Sequence, residues 1–129
     1  MSAEPNLIQM QIEADARLAA AAGAAARYFA DVAGLEGAAI TRLQTAVISA
    51  CKQAFTHLTA EHPWLEVKLT RLADRIEVAL SNQGRQSAAG ESDGGSAALG
   101  GVDDVQYETY GNVTIVRLTK YITRTTLRY

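Results

Sequence analysis

The sequence predicts an α+β fold: a two-layer α/β sandwich, with helices on one face of a mixed, mostly antiparallel sheet. Three observations lead there. The apolar period switches along the chain, from two in Leu7–Ile12, to helical spacing between Asp15 and Ala60, and back to two from Trp64 onward. Two short turn signals, Ala73-Asp74 and Gly111-Asn112, each separate a pair of alternating segments, as hairpins require. The resulting order is strand, helix, helix, two strands, a long Gly/Ser/Ala-rich loop and two strands, which fits helices gathered on one side of a sheet.

Taken in order, Met1 to Asn6 reads as a loose start. Leu7 to Ile12 alternates Ile8, Met10 and Ile12 with Gln9 and Gln11, the pattern of a half-buried strand. From Asp15 to Ala33, Leu18, Ala22, Ala25, Phe29 and Val32 recur at helical spacing, and the alanine density favours helix. Asp15 suits the N-cap and Gly34 the C′ position. Gly23 within this helix costs about 1 kcal/mol against alanine, and it allows a close neighbour. A second helix is expected from Ala38 to Ala60, stopped by His62-Pro63 because the residue before proline disfavours the α conformation. Its apolar stripe is Leu43, Val47, Ala50, Cys51, Ala54 and Leu58. Thr45, Ser49, Gln53 and Thr56 form a polar row that carries no charge of its own, which reads either as the wall of a cleft or as a partly covered surface.

Trp64 to Leu72 and Arg75 to Leu80 follow as a hairpin. Leu65, Val67 and Leu69, with Ile76, Val78 and Leu80, make one apolar face. Ser81 to Gly101 holds Leu99 as its one large apolar residue and cannot build a core. Between its ends, 84–101 reads as a lid-like binding loop or as a surface loop. Its glycines would let backbone N–H groups approach an anion, yet no GxxxxGK[ST] or GxGxxG string is present. Val102 to Tyr110 and Val113 to Ile122 close the fold, with Thr114, Val116, Leu118 and Lys120 sharing one face. The tail, 123–129, is basic and β-prone.

At 129 residues the chain is expected to form one domain, 1–129, with a core of its own. A formal net charge of -2 argues against a non-specific hold on nucleic acid or on acidic membranes. No apolar run approaches the ~20 residues that span a bilayer and no leader-like segment is evident, so a cytoplasmic protein is expected. Cys51 is the sole cysteine, which excludes an internal disulfide, and its place on the apolar stripe reads as a buried hydrophobe. His57 and His62 lack a partner at ligand spacing within their helix.

Several strings in this order resemble the anti-sigma-factor serine kinases of the Bergerat (histidine-kinase-like ATPase, GHKL) family of bacteria, over about Ile12 to Ile122. The family typically shows Leu-x-x-Ala-Val-x-Glu-Ala-x-x-Asn-Ala, often followed by a histidine. Here Leu43-Gln44-Thr45-Ala46-Val47-Ile48-Ser49-Ala50-Cys51-Lys52-Gln53-Ala54 is similar, with His57 after it. Ile76 to Leu80 followed by Asn82-Gln83-Gly84 looks like the family's strand and Asp-x-Gly box. Leu99-Gly100-Gly101 resembles the remnant of a second glycine box, and Val113 to Tyr121 the closing strand.

The resemblance implies a Bergerat fold and an ATP site. By that carry-over Ser49 stands where the family has its catalytic glutamate, Gln53 where it has its magnesium-binding asparagine, and Asn82 where it has the aspartate that accepts the adenine amino group. Gly84 and Gly100 would belong to the glycine boxes. The helix that follows the second box is shortened, because Asp103 comes so soon after Gly101. Ser49 cannot serve as a carboxylate base at neutral pH. Gln53 places its amide oxygen one methylene further out, which misplaces an octahedral Mg²⁺. Asn82 keeps a neutral acceptor, and exchanging an ionised partner for a neutral one reduces a hydrogen bond from about 1.5–3 to about 1 kcal/mol.

The expectation is therefore a regulatory protein of anti-sigma type that acts by protein contact in transcription control, with phosphoryl transfer lost and ATP and Mg²⁺ bound weakly or not at all. Its expected partners are a sigma factor or an anti-sigma-factor antagonist protein. Two other readings stay open: an ATP-dependent serine/threonine-protein kinase that phosphorylates the antagonist, and a module whose sheet edge or tail pairs with its own copy as a homodimer.

Overall fold

The computed structural model describes residues 6–83 and 100–122. They form β1 (Leu7–Ile12), α1 (Ala16–Val32), α2 (Gly37–Phe55), β2 (Leu65–Arg71), β3 (Arg75–Gln83), β4 (Asp104–Tyr110) and β5 (Val113–Tyr121). The expected loose start, most of the lid-like loop and the basic tail lie outside the described residues.

The sheet is five-stranded in the order β1-β2-β3-β5-β4. Its four pairings are all antiparallel, so the parallel component implied by a mixed sheet does not occur among the described residues. The α1–α2 pair is the reason. It makes an even number of traverses between β1 and β2, so the chain re-enters beside β1 in the opposite direction. α1 packs against β1, β2 and β3, and α2 against β2 and β3.

Strand parity decides which side chains meet the helices. Ile12, Leu65, Val67, Leu69, Ile76, Val78, Leu80 and Leu118 are all buried in one core with the helices. From α1 that core takes Ala19, Ala22, Ala26, Phe29 and Ala30; from α2 it takes Leu43, Ala46, Val47, Ala50, Cys51 and Ala54. The alanine-rich stripes keep the two helices close. A Cβ on Gly23 would lie 2.5 Å from Ile48 Cγ1, so α1 passes α2 at a point where only glycine fits undisturbed. Beside it, the Arg27 guanidinium donates to Gln44 Oε1 at 3.0 Å and ties the helices at their rim.

The ends of α1 are set locally. Asp15 accepts from the Arg17 N–H at 2.8 Å. At the other end Gly34 has φ 87°, its N–H donates to Asp31 O at 3.0 Å, and the Leu35 N–H donates to Ala30 O at 3.1 Å. That bond pair is a Schellman closure, which needs a left-handed residue at C′.

α2 ends earlier than the sequence predicts, at Phe55 instead of Ala60. The last turn tightens: His57 N–H donates to Ala54 O at 3.0 Å and Leu58 N–H to Phe55 O at 3.2 Å, both three residues back. The Thr56 hydroxyl takes the Gln53 carbonyl at 2.7 Å, and a Thr59–His62 turn then leads the chain into β2. β3 runs on to Gln83, past the expected end at Leu80, because Ser81, Asn82 and Gln83 find partners in Ile115, Thr114 and Val113. The β2–β3 turn closes through the Leu72 N–H on Arg75 O at 2.8 Å. At the β4–β5 turn Gly111 has φ 63° while Asn112 is not left-handed, as in a type II′ hairpin.

Candidate functional site

The residues singled out in the sequence fall in separate places. Ser49 is half-buried on α2, while Thr45, Gln53 and Thr56 along the same polar row are exposed. The row is thus an accessible helix surface over most of its length, with Ser49 as its one partly covered member. His57, just past the helix, is exposed, and His62 is half-buried near the start of β2. Among the described residues no three His, Cys, Asp or Glu side chains gather in a way that could hold a metal ion. Cys51 is fully buried, and desolvation pushes its thiol up to about 12, so the thiolate is not formed near neutral pH.

Asn82 lies elsewhere. It is on the helix-facing side of β3, 6 % exposed, and directly opposite Thr114 of β5, which is 9 % exposed. Asn82 Nδ2 and Thr114 Oγ1 are both buried without a hydrogen-bond partner among the described residues. Leaving such a group unsatisfied costs about 1–3 kcal/mol, so this cross-strand pair is a polar spot that costs stability at the sheet end. The sequence marked Asn82 but passed over Thr114. Its signal was there: a threonine sharing its strand face with Val116 and Leu118.

The glycines before β4 have different jobs. Gly100 is exposed, and among the described residues nothing lies within 4 Å of where its Cβ would stand. Gly101 presses on α2, where a Cβ would overlap the Arg42 carbonyl and come within 3.1 Å of the Leu43 N. Of this pair, Gly101 is the one the structure requires, for close approach to a helix backbone. No helix intervenes between Gly101 and Asp104. Instead Asp103 turns the chain directly into β4: its N–H donates to Thr119 O at 2.8 Å and its carboxylate accepts from the Tyr121 N–H at 2.7 Å. Gly84 lies outside the described residues.

Among the described residues, hollows open along the sheet, two of them side by side. The larger, about 550 Å³, lies on the face away from the helices, where Ala79 and Ser81 form a low floor between Gln9, Gln11, Lys68 and Arg117. The smaller, about 350 Å³, sits at the sheet end and is lined by Asn82 with His62, Trp64, Gln83 and Val113 among others. Gln11, Glu66 and Ser81 border both, so the two are neighbours. Neither is lined by Ser49, Gln53 or Gly100. Beside the larger hollow, Arg117 pairs with Glu108 at 3.1 Å. That hydrogen bond holds the Glu108 carboxyl below its usual range and raises the Arg117 guanidinium.

Taken together, the fold and these positions define an α+β sandwich that, among the described residues, has an open outer sheet face and a buried, unsatisfied amide–hydroxyl pair at one end. No family model matches the chain, and no curated protein matches it. Among the described residues no helix is long and apolar enough to cross a membrane.

Proposed function

We propose that this chain is a regulatory binding module of the anti-sigma-factor type, acting by contact with a partner protein and not by phosphoryl transfer. The observation that carries the reading is position 49. The strings resembling the Bergerat family place a catalytic carboxylate there, and this chain has a half-buried serine on a well-packed helix. A serine hydroxyl, unlike a carboxylate, is not a base that takes a proton from an attacking alcohol at neutral pH. The two-layer architecture around that helix supports a scaffold kept for its surfaces. The partner is a sigma factor or an anti-sigma-factor antagonist, and the protein works in the cytoplasm of a bacterium.

A specific observation favours a second reading, the ATP-dependent serine/threonine-protein kinase. Asn82, at the position that resembles the adenine-recognising aspartate, is buried with an unpartnered amide facing Thr114. The unpartnered Asn82 Nδ2 is a donor, which suits a ring nitrogen of a base and not the adenine amino group, so weak ATP binding is compatible with either reading. Gln53 would be the Mg²⁺ contact, and it is exposed on α2. Gly100 would contribute through its backbone.

The test mixes the purified chain with each sigma factor and antagonist protein of its source and with labelled ATP and Mg²⁺. A stable complex without label on either protein supports the binding module. Label appearing on the antagonist, and lost in Asn82→Ala, establishes the kinase. Neither complex nor label with any of these proteins overturns both.

A further inference from the structure

Trp64 is the chain's only tryptophan, and it stands 43 % exposed at the entrance to β2. Tryptophan and arginine are among the side chains that most often anchor a protein interface, and such anchors tend to pair with one another across it. Strand parity makes the surroundings of this indole polar. Leu65, Val67 and Leu69 are buried in the core, so Glu66 faces away from the helices. The register sets Gln11 of β1 and Ser81 of β3 on either side of Glu66, in one cross-strand row on the outer face. Gln83 follows two residues after Ser81 on the same face. These four residues and Trp64 line the smaller hollow, about 350 Å³ among the described residues.

The charge and hydrogen-bonding capacity of this lining select a ligand. Glu66 is its one carboxylate, and no lysine or arginine lines it. Lys68, two residues further along the same strand face, borders the larger hollow and not this one. An anion would meet a like charge there. A metal ion lacks ligands, because among the described residues no three His, Cys, Asp or Glu side chains gather to hold one. What the hollow offers is an indole face beside a set of acceptors: the Glu66 carboxylate, the amide oxygens of Gln11 and Gln83, and the Ser81 hydroxyl. A guanidinium is the complement of that set. It is planar, always charged, and presents five donors and no acceptor, so it stacks on an indole while donating to a carboxylate. An ammonium carries the charge without the flat face.

We propose that this hollow seats an arginine side chain of a partner protein, stacked on Trp64 and paired with Glu66. The inference rests on the reading of the chain as a binding module and gives the contact a chemistry; it uses neither Ser49 nor Asn82.

Fluorescence of the full chain tests it, because Trp64 is the only indole that emits. Acrylamide should quench that emission as it does an exposed tryptophan. N-acetyl-L-argininamide, added at constant ionic strength, should change it saturably with a dissociation constant of about 1–10 mM. The citrulline analogue, in which a neutral urea replaces the guanidinium, should bind at least ~5-fold more weakly, and Glu66→Gln should weaken argininamide by a similar factor. Glu66 is exposed, and circular dichroism checks that the variant folds. An indole that acrylamide does not reach, no saturation by ~50 mM argininamide, equal affinity for the citrulline analogue, or undiminished affinity in Glu66→Gln would each overturn the proposal. The titration contains no sigma factor or antagonist. Its failure therefore leaves a complex with those proteins standing, and their failure to bind leaves a positive titration standing.

Discussion

Replacing Gly23 by alanine tests how closely the helices are packed. An alanine Cβ would stand 2.5 Å from Ile48 Cγ1, 2.9 Å from Ile48 Cδ1 and 3.2 Å from the Gln44 carbonyl oxygen. Carbon atoms in comfortable contact are ~3.5–4.0 Å apart. Cγ1 is fixed by χ1, and a β-branched side chain on a helix has one strongly preferred χ1. Relief therefore requires the helices to shift, and overpacking of this kind costs about 1–3 kcal/mol. Against that, alanine improves helix propensity by about 1 kcal/mol over glycine. The net is a loss of about 1 kcal/mol, or a melting temperature lower by about 3–5 °C for a chain of this size. Removing the obstacle should reverse the sign. In an Ile48→Ala background, Gly23→Ala is expected to stabilise by ~0.5–1 kcal/mol, since only the propensity term and a mild contact with Gln44 remain. Urea denaturation of the four chains in this cycle, with m held constant, gives both numbers. Stabilisation by Gly23→Ala in the native background, or a coupling below ~0.5 kcal/mol, would refute the packing argument.

Other outcomes follow from the same structure. Gly101→Ala pushes a Cβ into the Arg42 backbone, which has no rotamer to give, so it should cost ~2 kcal/mol in the same denaturation assay. Cys51 should resist thiol reagents at pH 8 in the native protein and react at the rate of an unfolded cysteine in urea. Asn82→Leu removes a buried amide without a partner, so it should leave stability unchanged or raise it by up to ~1–3 kcal/mol while abolishing any stabilisation by added ATP in thermal melts. Asp15 and Glu108 have folded pKa values below their ordinary 3.8 and 4.5, through hydrogen bonds from Arg17 and Arg117 respectively. Their contribution is present above those ordinary values and is lost as pH falls through the lowered folded ones. Glu108→Gln should flatten the acid limb of the stability profile in that window.

Where side-chain period alone decides the outcome, the sequence was legible. Ile12, Leu65, Val67, Leu69, Ile76, Val78 and Leu80 could be assigned to the core because a strand has only two faces. The bounds of β1, the Asp15 cap and the Gly34 closure were legible for the same reason: each depends on a few adjacent residues. What depends on a distant neighbour was not. The end of α2 is set by the Thr56 and Thr59 turns, which compete with helix over Thr56 to Ala60. The extension of β3 through Gln83 depends on β5, which arrives some thirty residues later in the sequence. The polar row of α2 divided into exposed Thr45, Gln53 and Thr56 and half-buried Ser49, a division that helical spacing does not encode. The Asn82–Thr114 pair needed the register between β3 and β5, and Gly101 needed α2 beside it, before either could be given a role.

The measurement that bears most directly on the proposed function is a calorimetric titration of the chain with the sigma factors and antagonist proteins of its source, each with and without Mg²⁺ and ATP. A binding module that acts by protein contact alone should give a saturable complex, micromolar or tighter, with a dissociation constant the same in both conditions. A complex that forms only with Mg²⁺ and ATP, or no heat with any of these proteins, would contradict it.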